Sequence, residues 1–339
     1  MFEEGLAELH THLGASVASD ILWSLAHEQG IALPVKDYGE FDRLVTIADP
    51  RRVDSLDALD EIYHWTELIQ SSPLAVERSV HAAIGGAYRS QGITTLELRF
   101  NPMKRNRGGE RDLDHIIMAA SRGLDRASLE YPQVRSGLIL MMDRTFGERQ
   151  NATIVEKAIR YASRGIVGID IAGPRPEGGR YAYRELAPLV DEAREAGLGV
   201  TIHVGEEGAE HGEAEIGEVV EALRPERIGH GILAARSREL MSALRETGIV
   251  LEICPTSNLL TRALPDEQAV RETLRAFVDH GVAFTIATDG PEMMRTHLRD
   301  EFELLRRIGA LDEGELRDAN TRGHQASFVA REAVRLKTP

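Results

Sequence analysis

The sequence predicts a (β/α)8 barrel, on three observations. Eight short, apolar, β-branched runs recur along the 339 residues, amphipathic stretches of helical period separate them, and glycine falls where a helix would give way to the next strand. Strands are expected at Ala7–Leu13, Ile93–Phe100, Ser136–Met142, Ile166–Ala172, Gly199–Val204, Arg227–His230, Ile249–Cys254 and Val282–Thr288. Helical patterns lie between them at Leu113–Leu129, Ala152–Ser163, Arg184–Ala196, Glu215–Leu223, Arg238–Glu246 and Glu267–Asp279. Gly165, Gly197, Gly248 and Gly281 each follow a helical stretch, as a C-terminal cap does. An open doubly wound sheet also alternates strands with helices, but no glycine-rich phosphate turn follows the first strand. The long helix-rich segment Ser16–Ala87 is expected to be an insertion between strands one and two that covers the barrel mouth. Loop-like clusters are short, at Arg105–Asp112 and Gly173–Arg180, with no repeat or linker, so residues 1–339 are expected to form one domain.

Composition narrows the function. With 42% apolar residues the chain has ample material for a large core, which excludes intrinsic disorder. A formal net charge of −15 argues against nucleic acid or an anionic membrane as the main partner. A single cysteine, Cys254, excludes an intramolecular disulfide and multi-cysteine zinc modules. The acidic start MFEEGLAELHTHLG lacks the apolar core of a signal peptide, and no apolar run approaches the ~18 residues of a membrane span. The expectation is a cytoplasmic enzyme acting on a small molecule; oligomeric state is not legible.

In such a barrel, active sites form at the C-terminal ends of the strands. Strand one ends His10-Thr11-His12, and residues two apart on a strand share a face, so the two imidazoles make a natural half-site for zinc. Strand five ends His203-Val204-Gly205-Glu206, offering a third ring nitrogen and a carboxylate just beyond it. Strand six carries His230 between glycines, and strand eight leads into Asp289-Gly290-Pro291. One histidine on an apolar strand is usually a core residue; four, with two acids, all at strand ends, point to metal-assisted chemistry. The other histidines fall on helices or loops and read as surface or packing, with His64 and His81 in the covering segment the two placed to approach a ligand. Cys254 reads as a buried, unreactive thiol, Met141–Met142 as core filling, and Met293–Met294 as a lip.

The motifs ELHTHL, GIDIAG, HVGE, RIGHG, EICPTSN and TDGP, in this order and spacing, resemble those of the adenosine deaminase family of metal-dependent hydrolases, over essentially the whole chain. The resemblance implies a zinc-bearing (β/α)8 barrel that replaces the exocyclic amine of a 6-aminopurine with oxygen. It implies that His10, His12, His203 and Asp289 hold one zinc ion, that Glu206 is the proton-transfer acid/base, and that His230 steadies the attacking oxygen, a task Asp289 shares by accepting its proton. Gly173 matches the glycine whose backbone N–H meets a purine nitrogen. Binuclear relatives bridge two metals with a strand-four lysine; Gly165–Gly173 contains none, which favours a mononuclear site.

Two positions depart from the family pattern. Gly14 stands where adenosine deaminases carry an aspartate that meets the ribose, and Gly290 replaces the second of a strand-eight aspartate pair that meets the purine. The two glycines are expected to open space for a larger or differently substituted ligand. Adenosine or 2′-deoxyadenosine is the first expected substrate. A modified adenosine such as aminodeoxyfutalosine is the alternative, and a catalytically silent zinc-binding barrel is the reading outside catalysis.

Overall fold

The computed structural model describes residues 4–47, 56–106, 111–174, 180–206 and 211–329. Eight parallel strands pair in chain order, β1 (Leu6–His12), β2 (Ile93–Phe100), β3 (Arg135–Asp143), β4 (Ile166–Ala172), β5 (Gly199–Val204), β6 (Arg227–His230), β7 (Val250–Ile253) and β8 (Phe284–Ile286). Strand β8 is too short to pair along β1, so the last seam is closed beyond its end. The Asp289 amide donates to the His10 carbonyl and the His12 amide to the Asp289 carbonyl, both at 2.8 Å. The fold is therefore the (β/α)8 barrel that the alternation of runs predicts. Every residue of β4 and β5 is buried, as expected for parallel strands covered on both faces.

Four helices separate β1 from β2: α1 (Ser19–Glu28), α2 (Tyr38–Val45), α3 (Leu56–Ile69) and α4 (Pro73–Gln91). The long α4 starts with the Ser72 hydroxyl accepting from the Ala75 amide, with Pro73 in the first turn, and stops at Gly92 in the left-handed region. It packs along α5 (Leu113–Glu130) and against β2, so it is a helix of the barrel wall. The boundary expected at residue 87 cuts through it, because its apolar face continues without a break; only α1–α3 stand apart from the repeating βα pattern. The remaining helices are α6 (Glu148–Arg160), α7 (Ala187–Glu195), α8 (Gly212–Glu218), α9 (Arg238–Thr247), α10 (Pro255–Leu260), α11 (Glu267–His280), α12 (Pro291–Met294), α13 (Leu298–Arg307) and α14 (Glu313–Ala326). Gly165, Gly197, Gly248 and Gly281 all take positive φ, the conformation that makes glycine a helix terminator. The loop-like clusters Arg105–Asp112 and Gly173–Arg180 lie partly outside the described residues. Among the described residues, no helix is long and apolar enough to cross a membrane.

The barrel axis is filled with charge rather than the branched aliphatics common in such barrels. Glu97, Arg99, Asp170, Thr201, Arg227 and Glu252 are all fully buried. Arg227 donates to Glu97 at 2.5 Å and to Glu252 at 2.7 Å, and its guanidinium lies 3.6 Å over the Phe328 ring, which closes the floor. This charged column leads upward to the histidines at the strand ends.

Candidate active site

The six side chains singled out at strand ends come together in one cluster. His10, His12 and His203 present ring nitrogens within 4.8 Å of one another, as do Glu206, His230 and Asp289 with their ligating atoms. The Nε2 atoms of His12 and His203 face each other at 3.2 Å, and Asp289 Oδ1 lies 3.2 Å from His12 Nε2 and 3.8 Å from His10 Nε2. His10 Nε2 is fully buried and has no hydrogen-bond partner among the described residues. Burial is the main cause that holds the ring pKa values of His10, His12 and His203 well below the imidazole range; Arg99 adds to it at His10 and His203, and the neighbouring His203 at His12. Neutral imidazoles whose Nε2 atoms converge on a carboxylate are the donor set that zinc takes, so these residues fit the metal.

Two of these residues sit in a backbone conformation that side chains other than glycine's rarely adopt: His230 at φ 60° and Asp289 at φ 66°. Such strain costs about 1–3 kcal/mol per residue and concentrates at functional sites. At Asp289 the turn accompanies a carboxylate 3.2 Å from His12 Nε2 and a backbone that closes the barrel. Ser257, at the start of α10, donates to Asp289 Oδ2 at 2.6 Å, and burial, opposed by His230, raises the carboxyl pKa. Asn258 Nδ2 lies 3.0 Å from His230 Nδ1; donation there leaves the ring proton on Nε2, which is 3.4 Å from Glu206. Burial lowers the His230 pKa against the opposing pull of Asp289.

A second layer orients the imidazoles. Glu252 Oε2 binds His10 Nδ1 at 2.7 Å, and Asp170 binds His203 Nδ1 at 2.9 Å, which leaves both Nε2 atoms to the cluster. Arg99 joins the two carboxylates, donating at 2.8 Å to each and at 2.6 Å to the Leu9 carbonyl. The sequence reading missed this layer and the Ser257–Asn258 pair. Its signal lies in the strands: single charged residues between apolar neighbours in LELRF, GIDIA and LEIC, at the period of two that turns them into the barrel.

His12, Gly173, His203, Glu206, His230 and Asp289 line one cavity of about 270 Å³, whose far wall is α3 through Leu59, Tyr63, His64 and Glu67. His10 lies beneath it. Gly173 has φ 95°, and Arg144 ties its carbonyl to the mouth while also donating to the His203 carbonyl at 2.7 Å and the Tyr183 hydroxyl at 3.1 Å. Of the two helical histidines considered, His64 lines the cavity, whereas His81 pairs with Glu130 on the outer surface at 2.7 Å. Met142 is core, but Met141, expected there too, faces the cavity, since alternate residues of β3 point to opposite faces. Met293 and Met294 are both buried, packed with Ala15, Ile47 and Leu59; Met294 reaches the cavity. Cys254 is buried, and burial pushes its thiol pKa well up.

The expectation of added room fails at Gly290. This residue does not line the cavity, and a Cβ on it would stand 2.8 Å from Ala15 Cβ, because Ala15 and Met294 already fill that side. Gly14 is also crowded, with Arg105 Nη2 and Tyr63 each 3.2 Å from where a Cβ would be, but it borders a small side lobe of the cavity.

Fold and cluster together define a class: hydrolytic barrel enzymes with a histidine–carboxylate site at the strand C-termini. A family model described as adenosine deaminase matches residues 5–336, and the chain belongs to the adenosine deaminase family, hydrolases that act on carbon–nitrogen bonds. It is 29% identical to the adenosine deaminase of Vibrio vulnificus (strain CMCP6), over 95% of this chain and 94% of that protein. It is 33% identical to the aminodeoxyfutalosine deaminase of Acidothermus cellulolyticus, over 89% of this chain and 82% of that protein. The crystal structure of an amidohydrolase from Burkholderia ambifaria with bound Zn superposes with a TM-score of 0.83 at 21% identity, covering 98% of this chain and 89% of the other.

Proposed function

We propose that this chain, acting as one unit over residues 1–339 in the cytoplasm, is a deaminase with one zinc ion per chain that converts a 6-aminopurine nucleoside to its 6-oxo product and ammonia. The observation that carries the reading is the convergence of three neutral imidazole Nε2 groups and Asp289 beside Glu206 and His230 on one cavity. His10, His12, His203 and Asp289 would hold the ion. When bound, zinc lowers the pKa of a water towards neutrality and so supplies a nucleophile.

The side chains then divide the work. Gly173 N–H and Glu206 fix the purine by two ring nitrogens, with carbon 6 over the cluster. Adding oxygen to that carbon breaks the aromatic sextet unless the adjacent ring nitrogen is protonated at the same time, and Glu206 donates that proton. Asp289 accepts the proton lost by the attacking water, and His230, with its proton on Nε2, stabilises the charge on the oxygen. Asp289 then passes its proton to the amine, the C–N bond breaks and ammonia leaves, while the proton remaining on the oxygen returns to Glu206 and the 6-oxo product keeps the proton on its ring nitrogen. Adenosine and 2′-deoxyadenosine are the first substrates.

Aminodeoxyfutalosine is the second reading, favoured by the 33% identity to an enzyme named for it. Glu206 and His230 standing beside the cluster speak against a silent zinc barrel, which has no use for them. Ammonia release from the zinc-loaded protein with adenosine, 2′-deoxyadenosine, adenine, methylthioadenosine and aminodeoxyfutalosine ranks these. Zinc bound with no release from any of them would leave the silent barrel.

A further inference from the structure

Gly168 of β4 and Gly199 of β5 lie opposite each other in the strand register, and a glycine inside a strand often marks the close approach of another group. Here that group is Phe328, from the segment that follows α14. A Cβ on Gly199 would stand 2.2 Å from the Phe328 ring, and one on Gly168 2.9 Å from it. Val329 sits in the same way over Gly137 of β3, 2.9 Å from the place of a Cβ, and packs with Ile139, Val167 and Phe328. Glu97 fixes the backbone of this segment: its Oε1 accepts from the Ser327 hydroxyl at 2.7 Å and from the Phe328 and Val329 amides at 2.5 and 3.3 Å. The other face of the site is Arg227, whose guanidinium lies 3.6 Å over the Phe328 ring in a fully buried setting, where such a contact is strongest. Arg227 Nη1 donates to the Ala326 carbonyl at 2.9 Å, Nη2 to Glu97 at 2.5 Å and Nε to Glu252 at 2.7 Å. Glu252 gives its remaining oxygen to His10 Nδ1, also at 2.7 Å. One unbroken path of contacts therefore runs from Phe328, at the end of the barrel where the strands begin, to His10 in the cluster.

From this path we propose that Phe328 is a positioning residue of the histidine cluster, acting from the opposite end of the barrel. Its ring sets the angle of the Arg227 guanidinium, Arg227 sets the Glu252 carboxylate, and Glu252 holds the proton on His10 Nδ1 and so aims Nε2 at the cluster. Packed side chains and charge-assisted hydrogen bonds in series are a physical route for such coupling. What concerns zinc here rests on the reading above; the orientation of His10 does not.

Phe328→Leu keeps the floor filled but removes the aromatic face. Its zinc affinity, measured in competition with a chelator, is expected to fall about tenfold, the lower end of the range for partners outside the ligand set. The visible absorption of the cobalt-substituted protein is expected to shift with it. Val329→Ala removes packing from the same segment while leaving Phe328 and Arg227 as they are, so it is expected to lower the thermal midpoint and leave zinc affinity unchanged. In a Glu252→Gln background, where the path is already cut, adding Phe328→Leu is expected to cost no further zinc affinity. Wild-type zinc affinity in Phe328→Leu, or an equal loss in Val329→Ala, overturns the assignment. If Phe328→Leu does not fold, Arg227→Lys serves in its place: it keeps the charge but not the fork between Glu97 and Glu252, and unaltered zinc affinity there overturns the assignment too. Nitrogen NMR of the zinc-free protein with labelled histidine gives a readout free of the metal. Expected is the Nδ1–H tautomer of His10 in the wild type and a mixture of tautomers in Phe328→Leu. A wild type that binds no zinc overturns the zinc reading alone, whereas a His10 tautomer that Phe328→Leu leaves unchanged overturns the positioning role.

Discussion

Arg99 joins both halves of the layer that orients the imidazoles, and its replacement separates stability from metal binding. The guanidinium makes three hydrogen bonds, to Asp170, Glu252 and the Leu9 carbonyl, and both carboxylates are fully buried. Arg99→Met leaves two buried carboxylates short of a counter-charge, a loss of about 3–5 kcal/mol by the usual cost of breaking a buried pair. Arg99→Lys restores the charge but not the planar fork that reaches both acids at once. Its stability should therefore recover in part while zinc affinity falls about 10–100-fold, the range for lost outer-layer partners. The two histidines should not suffer equally. Glu252 keeps Arg227 and Thr201 on its other oxygen, whereas among the described residues Asp170 keeps, besides His203 itself, the Ile171 amide, so His203 is the ligand set loose. Urea unfolding of the zinc-free proteins and competition for zinc against a chelator measure the two effects. A lysine variant that unfolds like wild type and holds zinc as tightly would refute the account of this layer.

Two further expectations concern packing and pH. Gly290→Asp should destabilise the protein by about 1–3 kcal/mol through the clash with Ala15, and Ala15→Gly in the same chain should recover most of it in thermal denaturation. Burial raises the Glu301 pKa from 4.5 to about 7, against the hydrogen bonds from Thr296 and Thr256. The folded state then holds a proton that the unfolded state releases. The stability this group contributes is complete below pH 4.5 and declines by about 3 kcal/mol as pH rises to 7. Glu301→Gln should remove that decline; equal pH slopes for the two proteins would contradict it.

The barrel was legible because its signal is repeated eight times and several repeats are bounded by a glycine the backbone needs, as at Gly165, Gly197, Gly248 and Gly281. The six clustered side chains were legible because strand C-termini are where barrel chemistry collects, so a histidine or acid there is informative on its own. The charged column was not. Arg99, Asp170 and Glu252 sit inside strands and Arg227 opens one, where a charge gives no hint of its partner, and their pairings span up to 153 residues of sequence. The fate of the two glycines was hidden for the same reason: whether Gly290 opens space depends on Ala15 and Met294, which only the closed barrel brings beside it.

The central claim, that Glu206 moves the proton in a zinc-dependent deamination, is tested most directly by Glu206→Gln, with ammonia release and bound zinc measured on the same sample. The account predicts one zinc per chain in both proteins and a turnover at least about 100-fold lower in the variant. A variant with bound zinc and wild-type turnover would contradict it.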